Sequence, residues 1–249
     1  MSTPHEGLAL LSRRAGRAAL AALRRHVGQP LLEFALPQRC ACCGAAVDAT
    51  SVLCAACLAR IPRLPAPLCV RCLGRGDSPY GCLRHPQALV FSAWVYDDAV
   101  APLVHALKYE GRPQLARALG AVLATAIPTP WQRADLLLEV PLHPARERER
   151  GYNQAGALAD ALARTIAVPR LAGQLRRTRA TAPQARLGQQ ARRQNVAGAF
   201  AVHRPEWLAG RRVLVVDDVL TTGSTMQVCL AALVEAGAKA AGVTLAFAQ

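Results

Sequence analysis

The segment VLVVDDVLTTGST, from Val213 to Thr225, places two carboxylates next to a turn suited to an anion. Its apolar residues predict a buried strand that ends at Asp217 and Asp218, and a helix is predicted after the turn. Backbone amides at that helix start can bind one phosphate, and Gly223 lets the backbone approach it closely. Because two carboxylates would repel a phosphate, they must face a neutral group rich in hydroxyls, such as a ribose. The segment therefore indicates a site for a phosphorylated sugar, and the absent Gly-x4-Gly-Lys pattern excludes a P-loop.

Regularly spaced cysteines mark a second region that could do chemistry. Eight of the nine cysteines lie between Cys40 and Cys82, mostly in hooks of two ligands separated by two residues. Two such hooks place four ligands at the corners of a tetrahedron around one zinc ion. We predict two closed, structural zinc sites, and Cys42 is left over inside the first hook. The predicted ligands are Cys40, Cys43, Cys54 and Cys57 in the first site, and Cys69, Cys72, Cys82 and His85 in the second.

Two other interpretations of the cysteines stay open at this point. Disulfides would suit a secreted chain, although nothing in the sequence resembles a secretion signal. An iron–sulfur cluster also uses cysteine ligands, and the spacing alone does not exclude it. His85 has the alternative of a plain loop histidine, which would leave the second site with three ligands or none. Hook spacing favours zinc, and a segment of this size needs such a staple to fold.

Length and charge limit the classes of protein that the chain can belong to. At 249 residues, 52 per cent of them hydrophobic, it can form one large domain or a core with a small module. The net charge of +14 favours polyanionic ligands such as phosphates or nucleic acid, with arginine-rich coding bias as the alternative explanation. The basic character is concentrated, since Ala161 to Pro205 contain nine arginines and no acidic residue.

The sequence predicts no transmembrane segment and a cytoplasmic location. No apolar run approaches the roughly 18 residues of a membrane-spanning helix. Arginines interrupt the first apolar stretch, so no core of a signal peptide remains. We predict a solvated, basic helical extension over residues 1–37, with docking to a membrane surface or partner through Leu20, Leu23 and Val27 as the alternative.

The elements that must position these residues alternate between strand and helix beyond the cysteines. Strands are predicted at 88–96, 135–140, 211–218 and 241–248, and helices at 100–109, 113–127, 153–165 and 224–237. Such apolar strands predict an α/β fold, a parallel sheet flanked by helices and preceded by the Cys-rich module. Cys229 is predicted to be core. Ligands of these sheets bind at the carboxyl ends of the strands, where the unusual loops begin.

Four segments together resemble a known family. Val213 to Thr225 resembles the phosphoribosyl pyrophosphate (PRPP) signature of type I phosphoribosyltransferases. With VPLHPARERERGYNQ (140–154), LKYEGR (107–112), RTRATAPQARL (177–187) and the cysteine hooks, the chain resembles the ComF family from about Cys40 to its C-terminus. One departure is His85, where relatives often carry cysteine. Another is Thr221, where some purine transferases carry a carboxylate that acts as a base.

The resemblance implies how PRPP would be held. Asp217 and Asp218 would accept hydrogen bonds from the ribose 2- and 3-hydroxyls. Mg²⁺ would bridge pyrophosphate and ribose oxygens, held more by PRPP than by the protein. The residues implied for the 5-phosphate are Thr221, Thr222, Gly223, Ser224 and Thr225. Those assigned to pyrophosphate are Arg146, Arg150 and Lys108, and those of a mobile hood closing over the diphosphate are Arg179 and Arg186.

Simpler structural roles stay open for several of these residues. Paired aspartates at a strand end are in general more often caps or turn formers, although the turn that follows favours ligand binding here. RERER, residues 146–150, could be a solvated helix face with alternating charges. Lys108, one of only two lysines, could be a chance leftover. Asn153 could simply cap its helix.

We expect three parts: the helical extension at 1–37, a double zinc-ribbon module at 38–87 and a phosphoribosyltransferase-like domain at 88–249. The first functional hypothesis is an enzyme, a glycosyltransferase moving a pentosyl group from PRPP to an unidentified acceptor. The alternative is a non-catalytic, zinc-dependent adaptor that binds nucleic acid or a competence helicase. A third is a zinc-dependent DNA-binding factor with no PRPP site. The resemblance favours a PRPP-binding protein acting in natural transformation, in the uptake of single-stranded DNA.

Overall fold

The computed structural model describes residues 38–48, 51–64, 67–74, 82–110, 113–177 and 199–248. The chain divides into two compact units, Met1–Cys54 and Ala55–Gln249. The extension at 1–37 and the hood arginines Arg179 and Arg186 lie outside the described residues. The domain bounds expected from the sequence stay a prediction. Within the described ranges, no helix has the length and apolar character that crossing a membrane requires.

The described part of the first unit is a small hairpin that forms a metal hook. Strand β1 (Gln38–Arg39) pairs antiparallel with β2 (Ala46–Val47). Two short backbone bonds close the turn between them, from Cys40 N to Ala45 O at 2.7 Å and from Gly44 N to Cys40 O at 2.9 Å. Gly44 has φ of +74°, a left-handed conformation that glycine adopts without strain. The hairpin thus presents its cysteines on a tight turn.

The described part of the second unit alternates strands and helices, as the sequence predicts. Its helices are α1 (Ala55–Arg60), α2 (Ala101–Tyr109), α3 (Pro113–Ala126), α4 (Thr129–Gln132), α5 (Pro144–Arg150), α6 (Gln154–Ile166) and α7 (Ser224–Glu235). Its strands are β3 (Leu68–Cys69), β4 (Leu89–Val95), β5 (Leu136–Glu139), β6 (Leu175–Arg177), β7 (Phe200–Val202), β8 (Arg212–Leu220) and β9 (Lys239–Phe247).

A mixed sheet in the order β3-β4-β9-β8-β5 forms the centre of this unit. Strands β4, β9, β8 and β5 are parallel, which confirms the predicted α/β class. Strand β3 pairs antiparallel with β4 and contains Cys69, so one cysteine hook begins in the sheet itself. The sequence did not predict β3, because two residues carry no periodic signal. A separate antiparallel ribbon is formed by β6 and β7.

Both faces of the sheet are covered by helices, which explains why its strands are apolar without alternation. Val213 and Val215 belong to one buried cluster with Cys229 of α7, which confirms Cys229 as core. The intervening Leu214 and Val216 are fully buried as well and point to the opposite face. Helix α6 contacts β5 and β8, and α3 contacts β4 and β9 and packs against α6. Two covered faces are typical of parallel sheets.

Strand β8 extends beyond its neighbour β5. The pairing with β5 ends at Glu139 opposite Val216, whereas β8 continues to Leu220 and pairs there with Phe247 of β9. The sequence placed the end of this strand at Asp218, two residues too early. Asp217 and Asp218 therefore lie inside β8 but beyond the end of β5, where no strand of the described ranges pairs with the other edge of β8.

A buried ion pair fixes the end of β5. Glu139, 8 per cent exposed, accepts hydrogen bonds from Arg170 Nε and from Gly173 N, each at 3.0 Å. Arg170 also contacts Asp160 of α6 at 2.7 Å. The Glu139 carboxylate thus links β5 to the segment that leads into β6, which stabilises the base of the loop after β5.

Candidate functional site

A cleft of about 650 Å³ opens at the carboxyl ends of the parallel strands. Its position agrees with the general rule for ligand sites in such sheets. The cleft brings together most of the residues implied for PRPP, which come from three separate segments of the chain. Those lining it are Lys108, Arg146, Arg150, Asp217, Asp218, Thr221, Thr222, Gly223, Ser224 and Thr225.

The turn between β8 and α7 forms one wall of the cleft. Gly223 is the residue before the helix and has φ of +72°. A left-handed residue followed by a helix start turns successive backbone amides toward one point, an arrangement that binds anions. Thr222 Oγ1 lies 3.0 Å from Ser224 Oγ, so the two hydroxyls are neighbours in the same turn. The turn has the geometry and donors of a phosphate site.

The two aspartates form an acidic wall with a lysine against it. Lys108 Nζ lies 2.8 Å from Asp218 Oδ2, and the Asp218 side chain is only 6 per cent exposed. Burial and the charge of Asp218 raise the pKa of Asp217 well above its usual value. Burial lowers the pKa of Lys108, but the charge of Asp218, the hydrogen bond to it and the charge of Asp217 together raise it above its usual value. In this structure Lys108 therefore compensates the acid pair, which the sequence could not indicate.

Arginines line the opposite, basic part of the cleft. Arg146 and Arg150 are four residues apart on α5, so both can face the cleft while Glu147 and Glu149 are exposed to solvent. Part of RERER is thus a solvated helix face, and the role of Arg146 and Arg150 toward pyrophosphate stays a prediction. Arg150 donates a hydrogen bond to Gln154 and lies over the ring of Tyr109, with 5.2 Å to its centroid.

Arg177 is a cleft residue that sequence reasoning missed. It ends β6, lines the cleft and lies over the Phe200 ring at 5.4 Å. Burial lowers its pKa, and the positive charge of Arg146 lowers it further, so the two guanidinium groups lie close enough to interact. No local pattern marks it, because its place in the cleft depends on how the ribbon of β6 and β7 lies.

Hydrogen bonds of Tyr152 and Asn153 hold together the segments that surround the cleft. Tyr152 donates its hydroxyl hydrogen to the carbonyl of Leu107, which ties α2 to the segment before α6. Asn153 accepts from Ala155 N at 3.0 Å, so it caps α6 as one interpretation proposed. Its amide also donates to Val140 O at 3.1 Å and so holds the loop after β5. Asn153 therefore has a positioning role in addition to capping.

Three sulfurs of the first unit converge on one point. The sulfurs of Cys40, Cys43 and Cys54 lie within 4.8 Å of one another. Cys57, which forms a hook with Cys54, is the fourth candidate ligand. Cys43 Sγ and Cys54 Sγ are 3.8 Å apart, close to the roughly 3.8 Å between two sulfurs of a tetrahedral zinc site. A disulfide would need about 2.05 Å. Burial raises the pKa of Cys40, but backbone amides of Cys54, Cys43 and Cys42 lower it to about 6, which favours the metal-binding thiolate.

The second cluster lies within the second unit and includes His85. Nδ1 of His85 is 3.6 Å from Cys69 Sγ, 3.2 Å from Cys72 Sγ and 3.7 Å from Cys82 Sγ. Zinc bonds of about 2.3 Å to sulfur and about 2.0 Å to nitrogen give a separation of roughly 3.5 Å in a tetrahedron. All four ligand atoms lie within 4.8 Å of one another. The donor set therefore fits structural zinc, and His85 occupies the position of a ligand.

Comparison with known domains agrees with this architecture. A model described as phosphoribosyl transferase domain matches residues 149–249, and one described as double zinc ribbon domain matches residues 31–80. The second match ends before Cys82 and His85, so these two ligands of the second cluster are identified by their spacing and by geometry. Fold and domain matches together define a chain of the phosphoribosyltransferase-domain class joined to a double zinc ribbon.

Three curated proteins are similar to much of the chain. DNA utilization protein YhgH of Escherichia coli is 34 per cent identical over 77 per cent of this chain and 88 per cent of its own length. Competence protein F of Haemophilus influenzae is 35 per cent identical over 53 and 60 per cent of the two chains. Competence protein ComFC of Bacillus subtilis is 24 per cent identical over 77 and 81 per cent. The chain belongs to the ComF family.

Proposed function

We propose that the cleft binds PRPP and that the protein acts in the utilisation of imported single-stranded DNA. The observation that carries the proposal is the meeting of acids, anion-binding turn and arginines in one cleft. PRPP has matching parts: a ribose with two free hydroxyls, a phosphate at one end and a diphosphate at the other. Each part finds a wall of suitable chemistry.

The turn is the proposed site of the 5-phosphate. Its amides at the start of α7 carry the positive end of the helix dipole, and the Thr222 and Ser224 hydroxyls add donors. The acid pair, next in the chain, would accept hydrogen bonds from the ribose hydroxyls. Those hydroxyls would relieve the crowding of charge that raises the pKa of Asp217.

The arginines are the proposed site of the diphosphate. Arg146, Arg150 and Arg177 supply fixed positive charge on the basic side of the cleft, and guanidinium groups bind phosphate in a bidentate manner. Asp217 and Asp218 are oxygen donors of the kind that Mg²⁺ prefers, and PRPP would supply the other oxygens. When bound, Mg²⁺ would neutralise part of the charge of the diphosphate. Arg179 and Arg186 would complete this side.

Phosphoribosyl transfer is the proposed reaction. The attacking atom of an acceptor would form a bond to C1 of the ribose while the bond from C1 to the diphosphate oxygen breaks, and pyrophosphate would leave with the electron pair. Thr221 is exposed in the turn where some related enzymes carry a carboxylate, so no side chain of the turn is suited to act as a general base. An amine acceptor would need little such activation.

The relatives' names and the basic segment support a role with DNA. That role is either catalytic or that of a non-catalytic adaptor for nucleic acid or a helicase. Relatives are named for DNA utilization and competence. In the acid-free segment 161–205, Arg170 is engaged with Glu139 and Asp160. Arg176 and Arg204 are exposed, and Arg204 lies 4.4 Å over the ring of Trp207, which is itself 40 per cent exposed. An arginine next to an exposed aromatic ring suits single-stranded nucleic acid.

Calorimetry with PRPP and Mg²⁺ tests the site assignment. We expect wild type to bind and Asp217→Ala to bind at least about tenfold more weakly, since a hydrogen bond to a charged group contributes about 1.5–3 kcal/mol. Loss of Asp217 should not unfold the protein, because burial and the charge of Asp218 disfavour its charged form and raise its pKa. Glu235→Ala, at the far end of α7, is the control. Equal affinity of all three proteins would remove the assignment.

Salt-dependent binding of single-stranded DNA tests the second half of the proposal. We expect the double substitution of Arg176 and Arg204 by alanine to weaken binding and to lower the slope of log K against log salt by roughly 0.7 per lost phosphate contact. Arg211→Ala, also an exposed arginine but outside the acid-free segment, is the matched control. An unchanged slope in the double variant would exclude these arginines from a DNA-binding surface.

A further inference from the structure

The hook formed by Cys69 and Cys72 packs directly against the anion-binding turn. A Cβ atom built on Gly223 would lie 2.6 Å from Val70 Cγ2 and 2.7 Å from the backbone oxygen of Val70. It would also lie 3.1 Å from Leu73 Cδ2. Real Cβ atoms do not approach other atoms closer than 3.0 Å, so the two backbones meet without room for one methyl group. Residues 69–74, which we call the knuckle, therefore form the floor under the turn.

The knuckle has a shape that local forces alone hold weakly. Leu73 has φ of +54°, a left-handed conformation that costs a residue with a side chain about 1–2 kcal/mol. Its own bonds are few: Leu73 N donates to Cys69 O at 2.7 Å and Cys69 N to Gly74 O at 3.0 Å. Outside the knuckle, Val70 N donates to Ala88 O at 2.8 Å. Cys72 N also donates to Cys69 Sγ at 3.4 Å, and Val70 is buried in the core. A metal ion would add a constraint that keeps Leu73 in its left-handed conformation and Val70 in contact with the turn.

The metal cluster supplies that constraint. Val70 lies between two of its ligands, Cys69 and Cys72, and Leu73 follows the second directly. Ligand atoms drawn from Cys82 and His85 connect the knuckle to the segment that leads into β4. A bound ion would join both segments at one point and hold Val70 and Leu73 against the turn.

We infer that the second metal cluster positions the anion-binding turn through Val70 and Leu73. Affinity for a sugar phosphate then depends on the occupancy of this one cluster, and the inference rests on the proposed role of the turn as the 5-phosphate site. The coupling is reciprocal, as any coupling between two binding equilibria must be. PRPP bound in the cleft therefore raises the affinity of the second cluster for zinc.

Paired ligand substitutions in the full-length protein test this inference. Cys72→Ser removes a ligand of the second cluster, and Cys43→Ser removes the corresponding ligand of the first; both cysteines are exposed. We expect each variant to lose one zinc ion by metal analysis. PRPP affinity should fall about tenfold or more in Cys72→Ser, within the usual range of coupling between sites, and less than about twofold in Cys43→Ser. Equal affinities in two zinc-depleted variants would overturn the inference.

A second variant leaves every ligand in place. Val70→Ala should keep the zinc content of wild type and still weaken PRPP binding roughly threefold to tenfold, because the floor under Gly223 loses its side-chain contact. Full affinity in Val70→Ala would show that the knuckle does not support the turn. The affinity for zinc, measured by equilibrium competition with a chelator, should be higher with PRPP present for one of the two ions; unchanged affinity of both would contradict the reciprocal coupling.

Amide hydrogen exchange separates this inference from the proposed function. If wild type binds no PRPP, the proposed function fails, but the mechanical coupling is still measurable. Exchange of the amides from Thr222 to Gln227 should become at least about tenfold faster in Cys72→Ser and stay unchanged in Cys43→Ser, because only the first loosens the floor. Unchanged exchange in Cys72→Ser would overturn the inference whatever PRPP does.

Discussion

Replacing Gly223 by alanine should reduce PRPP affinity on the order of 100-fold, since every 1.4 kcal/mol lost is a factor of ten. Its φ of +72° alone costs a side-chain-bearing residue about 1–2 kcal/mol. The added methyl group would also lie 2.7 Å from a backbone oxygen of Val70, and a backbone atom cannot turn aside as a side chain can. The turn must therefore move, so that its backbone amides no longer point toward one phosphate. Calorimetry with PRPP and Mg²⁺ measures the effect.

Gly237→Ala is the matched control for this variant. Gly237 ends the same helix that Gly223 begins and has a similar φ of +81°. An added methyl group there would meet Ala209 at 3.6 Å, an ordinary contact. We expect Gly237→Ala to lower the free energy of unfolding by about 1–2 kcal/mol and to leave PRPP affinity unchanged. Equal losses of affinity in both variants would mean that general destabilisation is the cause.

Lys108→Met should weaken PRPP binding on the order of 30-fold and lower the free energy of unfolding by about 2–3 kcal/mol. Methionine keeps most of the aliphatic stem but leaves Asp218, 6 per cent exposed, without the ammonium group at 2.8 Å. Two uncompensated carboxylates would then repel the charges of PRPP. Titration with PRPP and urea-induced unfolding provide the two measurements.

The chain offers a close control for this variant, because Lys239 is its only other lysine. Lys239 is exposed at the start of β9, so Lys239→Met should change neither quantity by more than about 0.5 kcal/mol. Wild-type affinity in Lys108→Met would show that the ion pair with Asp218 has only a structural role. Loss of affinity with full stability would assign Lys108 directly to the ligand.

Regular elements of the second unit could be predicted because their signals are local. Helix α6 was expected at 153–165 and occurs at Gln154–Ile166, and β4 was expected at 88–96 and occurs at Leu89–Val95. Short elements such as β3 escaped, since two residues show no periodicity. The end of β8 was placed too early because polar side chains suggested a loop, whereas the backbone continues to pair with β9.

Contacts between distant segments were the part that sequence could not provide. The residue types at Asp217, Asp218 and Gly223 indicate a sugar phosphate. No local sequence pattern predicts that Lys108 and Val70 lie next to them in the fold. Arg177 was passed over because its location in the cleft depends on how the ribbon of β6 and β7 lies. Such proximities arise from tertiary packing, which leaves no periodic trace in a single chain.

The overhang of β8 past β5 separates what is fixed in the cleft from what can vary. Beyond Val216, β8 pairs with β9 and with no other strand in the part of the chain that the structure describes, so the acids keep their place without help from β5. Insertions or deletions in residues 141–143 would therefore leave the two acids, the proposed ribose site, intact while reshaping another side of the cleft. Acceptor range could diversify among relatives by changes of loop length there, with the sheet untouched.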